Sequence, residues 1–377
     1  MMRKKRVWWI HSLKREIENK MENKEVTSRL TKLGNEIVDN IKLEESPRIM
    51  MPQRGIGNIK FDNNILELGD KKSTRSFMNV AHSRKFMQTI LIANKCKEFV
   101  SREKTASIRE LYYQLKHTIP GTKENTFEDQ SESDPLIVDL ETALGVLREE
   151  LHLKADDKGT LIGKIKIEDS GDVIDCSKLG RSGLSVPSIV EHYKFMDVDA
   201  NYVLVIETGA MFDRLVEEKF HLKNNCIMVS TKGQAARGCR RLVHRLEHEL
   251  KLPVIMFTDG DPWGYYIYSV MKAGSMALAH ESRRLGTPSM SLVGMTMTDI
   301  DTYGLEKVTE TLKDVDRKRI KELLQYPWFQ KKQWKKELEL MAKKGVRIEQ
   351  QALASKSLEF VAEEYLPDKI NKNVMLP

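Results

Sequence analysis

Apolar and polar residues follow two different periods along the chain, and the change of period divides it. Residues 82–102 repeat apolar side chains every three or four positions, which predicts an amphipathic helix. A second helix is predicted at 107–117, where Ser107 and Glu110 have the spacing of a capping box. A third begins at "SDPLIVDLETAL", with Asp134 as its expected cap. This part of the chain therefore predicts three helices.

The stretch after these helices has the period of β-structure. "KGTLIGKIKIEDSGDVIDC" alternates apolar and polar residues, which predicts a β-hairpin or wing. Three helices followed by a wing outline a winged-helix module, a variant of the helix-turn-helix that binds duplex DNA. Three amphipathic helices also occur in many other folds, so the outline alone does not define the module.

Short apolar, β-branched runs separated by helical stretches dominate the chain after about residue 190. They are "YVLVIE" (202–207), "NCIMVS" (225–230), "PVIMFTD" (253–259) and "MSLVGM" (290–295). Buried strands that alternate with helices predict a mostly parallel α/β sheet. Residues 305–377 are helical in pattern and strongly charged, and we expect them to wrap the sheet.

Length and charge narrow the function classes. A chain of 377 residues suggests two or three domains, at roughly 100–200 residues each. The net charge of +7 attracts polyanions, so nucleic acid is the leading class of partner. Four cysteines without metal-ligand spacing fit reduced thiols in a cytoplasmic protein. No apolar run approaches the ~20 residues that cross a bilayer, so no membrane partner is expected.

The N-terminal segment "MMRKKRVWWIHSLKREIENK" sets Trp8, Trp9 and Ile10 among basic residues. Such a segment can lie on a membrane surface, but docking to another protein explains the tryptophans at least as well.

Two of the predicted strands end in acidic residues. "YVLVIE" ends at Glu207, and "PVIMFTD" leads into "DGDPWG", which contains Asp259 and Asp261. In open α/β sheets, ligands bind at the carboxyl ends of the strands. Three carboxylates that converge there repel one another unless a divalent cation neutralises them, and Mg²⁺ suits oxygen ligands. The alternative is ordinary turn chemistry, because Asp-Gly-Asp-Pro is also a common turn sequence.

The stretch "SIRELYYQLKH" contains two adjacent tyrosines that cannot share a helix face. Residues three and four apart lie together, so Tyr112 joins the apolar stripe and Tyr113 joins Arg109 on a basic one. Positive charge beside an exposed phenol favours the phenolate and attracts phosphate. Tyr113 is thus a candidate nucleophile toward a phosphodiester. The alternative is a surface tyrosine without a chemical role.

Four stretches, taken in order, resemble one known family. "SIRELYYQLKH", "VLVIETGAMF", "KGQAARGCRRL" and "FTDGDPWGY" are similar to the A subunits of archaeal DNA topoisomerase VI, a family that includes the meiotic double-strand-break transesterases. The similarity runs from about residue 70 to the C-terminus. It implies a multidomain α/β (α+β) fold with three parts: an N-terminal arm at 1–75, a winged-helix, CAP-like domain at 76–180, and a Toprim domain with C-terminal helices at 181–377.

The resemblance also implies the chemistry. Tyr113 matches the family's nucleophile and Arg109 the basic residue beside it, while Glu207, Asp259 and Asp261 match the Toprim acids that hold Mg²⁺. Such proteins pair as homodimers, cleave both strands of duplex DNA and stay bound to the 5′ ends. A B subunit with a GHKL-type ATPase binds ATP and completes a heterotetramer. The resemblance thus implies a cytoplasmic, nucleoid-associated enzyme, and the N-terminal arm is the expected contact with the B subunit.

Some residues and functions stay open at this stage. Gly233 and the arginines at 237, 240 and 241 could contact DNA phosphates or form a solvated basic face. Asp299 and Asp301 could support the metal site, although helix capping is the better explanation. The alternative functions are a break-forming transesterase that does not religate, a Toprim nuclease without a covalent intermediate, and a non-catalytic DNA-binding protein.

Overall fold

The computed structural model describes residues 2–377, with side chains described at position 21 and from position 23 onward. The chain forms two compact units. The first comprises the chain up to residue 58 together with 68–156, and the second comprises 59–67 and 157–377.

The described chain contains both α-helices and β-strands. The helices are α1 (Met2–Lys42), α2 (Val80–Ser101), α3 (Ile108–Leu115), α4 (Ser133–Leu144), α5 (Gly209–Glu217), α6 (Phe220–Lys223), α7 (Arg237–Leu250), α8 (Pro262–Ala273), α9 (Ser282–Leu285), α10 (Met297–Tyr303), α11 (Asp314–Leu323), α12 (Lys332–Lys344) and α13 (Leu366–Asn371). The strands are β1 (Arg48–Pro52), β2 (Ile59–Asp62), β3 (Ile65–Leu68), β4 (Lys72–Ser76), β5 (Ala106–Ser107), β6 (Leu153–Lys154), β7 (Thr160–Gly163), β8 (Ile165–Asp169), β9 (Asp172–Asp175), β10 (Leu184–Ser185), β11 (Lys194–Val198), β12 (Tyr202–Ile206), β13 (Cys226–Ser230), β14 (Val254–Phe257), β15 (Ser291–Gly294), β16 (Glu310–Thr311) and β17 (Val346–Arg347).

The three helices predicted in the first part of the chain are confirmed as α2, α3 and α4. They share one core, to which Ile92, Leu111 and Leu140 contribute fully buried side chains. The predicted cap of α4 differs, because the helix begins at Ser133 and Asp134 lies inside its first turn. The long helix α1 lies within the predicted N-terminal arm. The side chains of Trp8, Trp9 and Ile10 lie outside the described residues.

A six-stranded sheet forms the centre of the second unit, in the order β10-β7-β13-β12-β14-β15. The four predicted apolar runs are β12 to β15, and they pair in parallel. Strands β7 and β10 add an antiparallel edge. The side chains of the central strands are buried on both faces, which explains why these runs are continuously apolar instead of alternating. The prediction of a mostly parallel α/β sheet is confirmed.

The boundary between the units lies earlier than the predicted one at residues 180/181. Strand β7 hydrogen-bonds to β13 of the central sheet, and the β8–β9 hairpin, predicted as a wing, packs its apolar residues into the same core. Residues 157–180 therefore belong with the second unit. Their alternating pattern identified the strands but could not indicate which core the strands would join.

The C-terminal helices enlarge the core around the sheet. Trp334 is almost fully buried and packs against the rings of Tyr265, Tyr268 and Phe329 at centroid distances of 5.0–5.3 Å. Lys369 forms a buried ion pair with Asp299 at 2.7 Å. The strongly charged segment 305–377 therefore also contributes large apolar side chains to the core. Within the described residues, no helix combines the length and the apolar character needed to cross a membrane.

We predict that Ser107→Ala loosens α3 without unfolding the unit. The Ser107 hydroxyl accepts a hydrogen bond from the Glu110 backbone N–H at 3.1 Å, and the Glu110 carboxylate accepts one from the Ser107 N–H at 2.6 Å. Loss of such a cap costs about 1 kcal/mol. Amide hydrogen exchange across α3 should therefore become about fivefold faster. Ser101→Ala, at an exposed position of α2, is the matched control; equal effects of the two variants would contradict the capping role.

Candidate active site

The two adjacent tyrosines of α3 occupy different environments, as the helical pattern predicts. Tyr112 is 7% exposed, and its hydroxyl donates to the Glu128 carbonyl at 3.0 Å. Tyr113 is 61% exposed, and the Arg109 guanidinium carbon lies 6.0 Å from its ring centroid. Packing and hydrogen bonding therefore engage Tyr112, whereas a ligand arriving from solvent can reach Tyr113.

Lys116, the residue that follows α3, is bound to Tyr112 and not to Tyr113. Lys116 donates to the Tyr112 hydroxyl at 2.9 Å and to the Glu128 carbonyl at 3.2 Å. The hydrogen bond to Tyr112 raises the pKa of Lys116, so this lysine keeps its charge. Arg109 is thus the cation that stacks on Tyr113, whereas Lys116 is hydrogen-bonded to the neighbouring Tyr112.

Two of the three predicted acids emerge from adjacent parallel strands. Ile206 of β12 pairs with Phe257 of β14, so Glu207 and Asp259 leave the sheet at the same edge. The Asp259 backbone N–H donates to Glu207 Oε2 at 3.2 Å, which ties the two strand ends together.

Asp261 stands two residues after Asp259 and has a local structural role. It is the N-cap of α8, and its Oδ1 accepts from the Gly264 N–H at 2.6 Å. The turn chemistry considered for this sequence is therefore present. One oxygen of Asp261 caps the helix, and the carboxylate has a second oxygen that can face the other acids.

Burial and mutual repulsion raise the pKa values of the acidic cluster, which we define as Glu207, Asp259 and Asp261. Burial is the main cause of raising the pKa of Glu207 to about 8, and the negative charge of Asp259 adds to it. Burial also raises the pKa of Asp259 to about 6, against the opposing hydrogen bond from the Gln350 backbone N–H. The pKa of Asp261 is raised by burial too. The cluster therefore accumulates negative charge only at a free-energy cost.

The acidic cluster has the donors that a hard divalent cation requires. The carboxylate oxygens of these three acids do not all lie within 4.8 Å of one another, so the three side chains do not form a closed set of direct ligands. They fit a cation such as Mg²⁺ that takes one or two carboxylates directly and keeps several waters. Glycine at position 264 leaves the space beside Glu207 and Asp259 open. A Cβ there would lie 3.2 Å from Glu207 Oε2 and 2.5 Å from the Asp259 carbonyl oxygen.

Sequence reasoning missed two residues beside the acidic cluster. The positive charge of Arg347 lowers the pKa values of Asp259 and Asp261, opposing the effect of burial. The Gln350 backbone N–H donates to Asp259 Oδ1 at 2.8 Å. Both residues lie far along the chain from the aspartates, in a stretch without any recognisable motif, so no local signal in the sequence could have identified them.

The arginines left open by the sequence form ion pairs, of which those to Glu281 are buried. Arg240 is 3% exposed and pairs with the fully buried Glu281 at 3.0 Å, and Arg237 pairs with the same carboxylate. Arg241 binds Glu191 at 2.8 Å. Burial lowers the pKa of Arg240 to about 10. For Arg240 both expected roles are wrong, since this residue is neither a solvated surface residue nor accessible to a DNA phosphate.

Asp299 is confirmed as a capping residue. Its carboxylate accepts from the Thr296 backbone N–H at 2.8 Å at the start of α10, and from the Tyr365 hydroxyl at 2.7 Å. Asp301 is exposed and pairs with Lys344 at 2.6 Å. Neither residue contacts the acidic cluster through these bonds.

Comparison with protein families places the chain in a known class. A model that describes the Toprim domain shared by Spo11 and the topoisomerase 6 A subunit matches residues 202–370, which include the central sheet from β12 onward and the acidic cluster. The chain is thus a protein with a Toprim domain. A "Type IIB DNA topoisomerase" model matches residues 84–153, and an "All-beta domain in DNA topoisomerase VI alpha subunit" matches 156–199.

Similarity over nearly the full length identifies the family. The chain is 54% identical over 364 residues to the A subunit of type 2 DNA topoisomerase 6 from Pyrococcus abyssi, covering 93% of this chain and 95% of the relative. The proteins of the same name from Hyperthermus butylicus and Methanothermobacter thermautotrophicus are 42% and 41% identical, over 89% and 91% of this chain and 92% and 96% of the relatives. The chain belongs to the family of type 2 DNA topoisomerase 6 A subunits, which confirms the resemblance found in the sequence.

We predict that the metal-free protein loses stability as the pH rises from about 4.5 to 8. The folded-state pKa of Glu207 is about 8, above the ordinary value of 4.5. Its contribution to stability is therefore fully present below the unfolded-state pKa and is lost as the pH passes the folded-state pKa. Each unit of such a shift corresponds to about 1.4 kcal/mol.

Denaturant unfolding in EDTA, measured from pH 5 to 9, tests this dependence. Glu207→Gln removes the titrating group and should flatten the profile relative to the parent protein. Identical pH profiles for the two proteins would show that Glu207 does not titrate in this range.

Proposed function

We propose that this chain is the DNA cleavage and religation subunit of a type IIB topoisomerase, and that Tyr113 is its nucleophile. The observation that carries the assignment of the nucleophile is the contrast between the two adjacent tyrosines. Tyr112 is buried with its hydroxyl hydrogen-bonded, and Tyr113 is exposed beside Arg109. Family membership supports the reaction class.

The proposed reaction is a transesterification at a DNA phosphodiester. The Tyr113 phenolic oxygen forms a bond to phosphorus, and the bond between phosphorus and the 3′ oxygen of the neighbouring nucleotide breaks. The phenolic proton passes to solvent, and the departing 3′ oxygen takes up a proton. The resulting 5′-phosphotyrosine conserves the ester bond, so the reverse attack by the 3′ hydroxyl religates the strand.

Arg109 has the role of holding the phosphate during this exchange. Its guanidinium lies over the Tyr113 ring, where it can bind a phosphate oxygen. Positioning and neutralisation of developing charge supply most of the catalysis in phosphoryl transfer.

Glu207 and Asp259 are the proposed ligands of Mg²⁺, with Asp261 binding through the oxygen that does not cap α8. The raised pKa values of Glu207 and Asp259 support this assignment, because a bound cation relieves the repulsion that raises them. When bound, the cation supplies positive charge for the phosphate and the leaving oxygen. The carboxylates fix its position at the edge of the sheet.

The proposed assembly follows from the same family. Two copies of this chain pair on duplex DNA, and each joins a B subunit with a GHKL-type ATPase that binds the ATP. We propose that α2, α3 and α4 form the helical part of a winged-helix DNA-binding module, and that the N-terminal arm contacts the B subunit. These partners place the protein with the nucleoid in the cytoplasm.

Tyr113→Phe should abolish DNA cleavage and covalent protein–DNA adducts while leaving DNA binding largely intact. The ring and its stacking on Arg109 are retained, and only the nucleophilic oxygen is removed. The measurement is denaturing electrophoresis of end-labelled duplex incubated with this chain, a B subunit, Mg²⁺ and an ATP analogue. A label trapped on the polypeptide through the 5′ end is expected for the parent protein and not for Tyr113→Phe.

Tyr112→Phe is the matched control, since it removes a hydroxyl that is already hydrogen-bonded to Glu128. It should retain adduct formation. DNA cleavage by the Tyr113→Phe protein would favour a hydrolytic Toprim nuclease, which activates water and does not need the tyrosine.

Glu207→Ala or Asp259→Ala should lower cleavage by about 100-fold or more, because each removes charge that positions the cation. Added Mg²⁺ should not fully restore the activity. Asp172→Ala, at an exposed position of β9, should cleave like the parent protein. Parent-like cleavage by both cluster variants would remove the metal from the mechanism.

A further inference from the structure

A short C-terminal segment lies directly against the loop that carries the two aspartates. Ile348, just after β17, exchanges two backbone hydrogen bonds with Gly260, at 2.8 and 3.1 Å. Gly260 is the residue between Asp259 and Asp261. The segment therefore supports the acidic cluster from a distant part of the chain.

Gln350 connects this segment to the ends of both acidic strands. Its side chain is fully buried, and its backbone N–H donates to Asp259 Oδ1 at 2.8 Å. The side-chain oxygen accepts from the Thr208 hydroxyl at 2.7 Å, and Thr208 is the residue after Glu207. One glutamine thus bonds to Asp259 and to the neighbour of Glu207.

The nitrogen of the Gln350 carboxamide has no acceptor within the described part of the chain. Buried polar groups in folded proteins almost always have a hydrogen-bond partner, and an ordered water or an ion can be that partner. The acidic cluster that Gln350 joins is the proposed cation site. A water molecule bound to the cation would supply the missing acceptor, because Mg²⁺ retains several waters in protein sites.

We infer that Gln350 is a positioning residue of the cation site, and that its carboxamide N–H donates to a water molecule bound to the cation. The inference rests on the proposed cation site at Glu207 and Asp259. Groups that hydrogen-bond to metal ligands orient those ligands, and their loss typically weakens metal binding by about 10- to 100-fold. Gln350 therefore acts on the cation through the water and not as a ligand itself.

The test is Mn²⁺ binding to the full-length chain without DNA, measured as free Mn²⁺ by electron paramagnetic resonance. Gln350→Met has a similar shape and keeps the backbone bond to Asp259, but it lacks the carboxamide. Its dissociation constant should rise by about tenfold or more. Gln351→Met, at the exposed neighbouring position, should bind like the parent protein.

A milder pair of variants decides the question if Gln350→Met does not fold. Thr208→Val removes the hydroxyl that anchors the carboxamide oxygen, and Thr208→Ser restores one. We expect Mn²⁺ affinity to fall several-fold in the valine variant and to return in the serine variant. A purely structural bond would change the metal-free unfolding temperature and leave Mn²⁺ affinity unaltered.

The outcomes separate this inference from the proposed function. Weaker Mn²⁺ binding in folded Gln350→Met, with parent-like binding in Gln351→Met, supports the inference. Unchanged affinity in Gln350→Met overturns it while leaving the cation site in place. Equal binding by the parent protein and Glu207→Ala overturns the cation site as well, and with it the metal-dependent part of the proposed function.

Discussion

Repulsion between carboxylates at the edge of a buried sheet is the constraint on which the rest of the site depends. Glu207 and Asp259 leave paired parallel strands at the same edge, and burial withholds the water that would otherwise screen their charges. Backbone N–H groups of Asp259 and Gln350 hold the two carboxylates in place. These hydrogen bonds fix the carboxylates but do not neutralise them, whereas a bound cation would. The same geometry therefore creates both the repulsion and the proposed cation site.

Packing and hydrogen bonding, and not charge repulsion, orient the two tyrosines of α3. Tyr112 anchors the helix through its buried ring and its bond to the Glu128 carbonyl, and Lys116 closes the same contact. That anchoring leaves Tyr113 on the exposed face with Arg109. The aromatic pair thus provides one residue for packing and leaves the other exposed to solvent, because adjacent helical positions point about 100° apart.

Periodicity predicted the elements well where one local rule dominated. The four apolar runs became parallel strands since burial on both faces leaves no room for polar alternation, and the spacing of Ser107 and Glu110 became the expected capping box. The assignment of Tyr112 to the core also followed from helical spacing alone. Prediction was weaker where a long-range contact sets the environment of a residue. Arg240 of the basic motif, for example, is buried against Glu281.

Local sequence pattern was enough to predict the strands and helices, the acids at the strand ends and the orientation of the tyrosine pair, since each depends on neighbours within a few residues. Long-range contacts place residues 157–180 in the second unit and set Arg347 and Gln350 beside the aspartates. These contacts form between segments far apart in the chain, where packing and the satisfaction of buried polar groups select partners that no local pattern encodes.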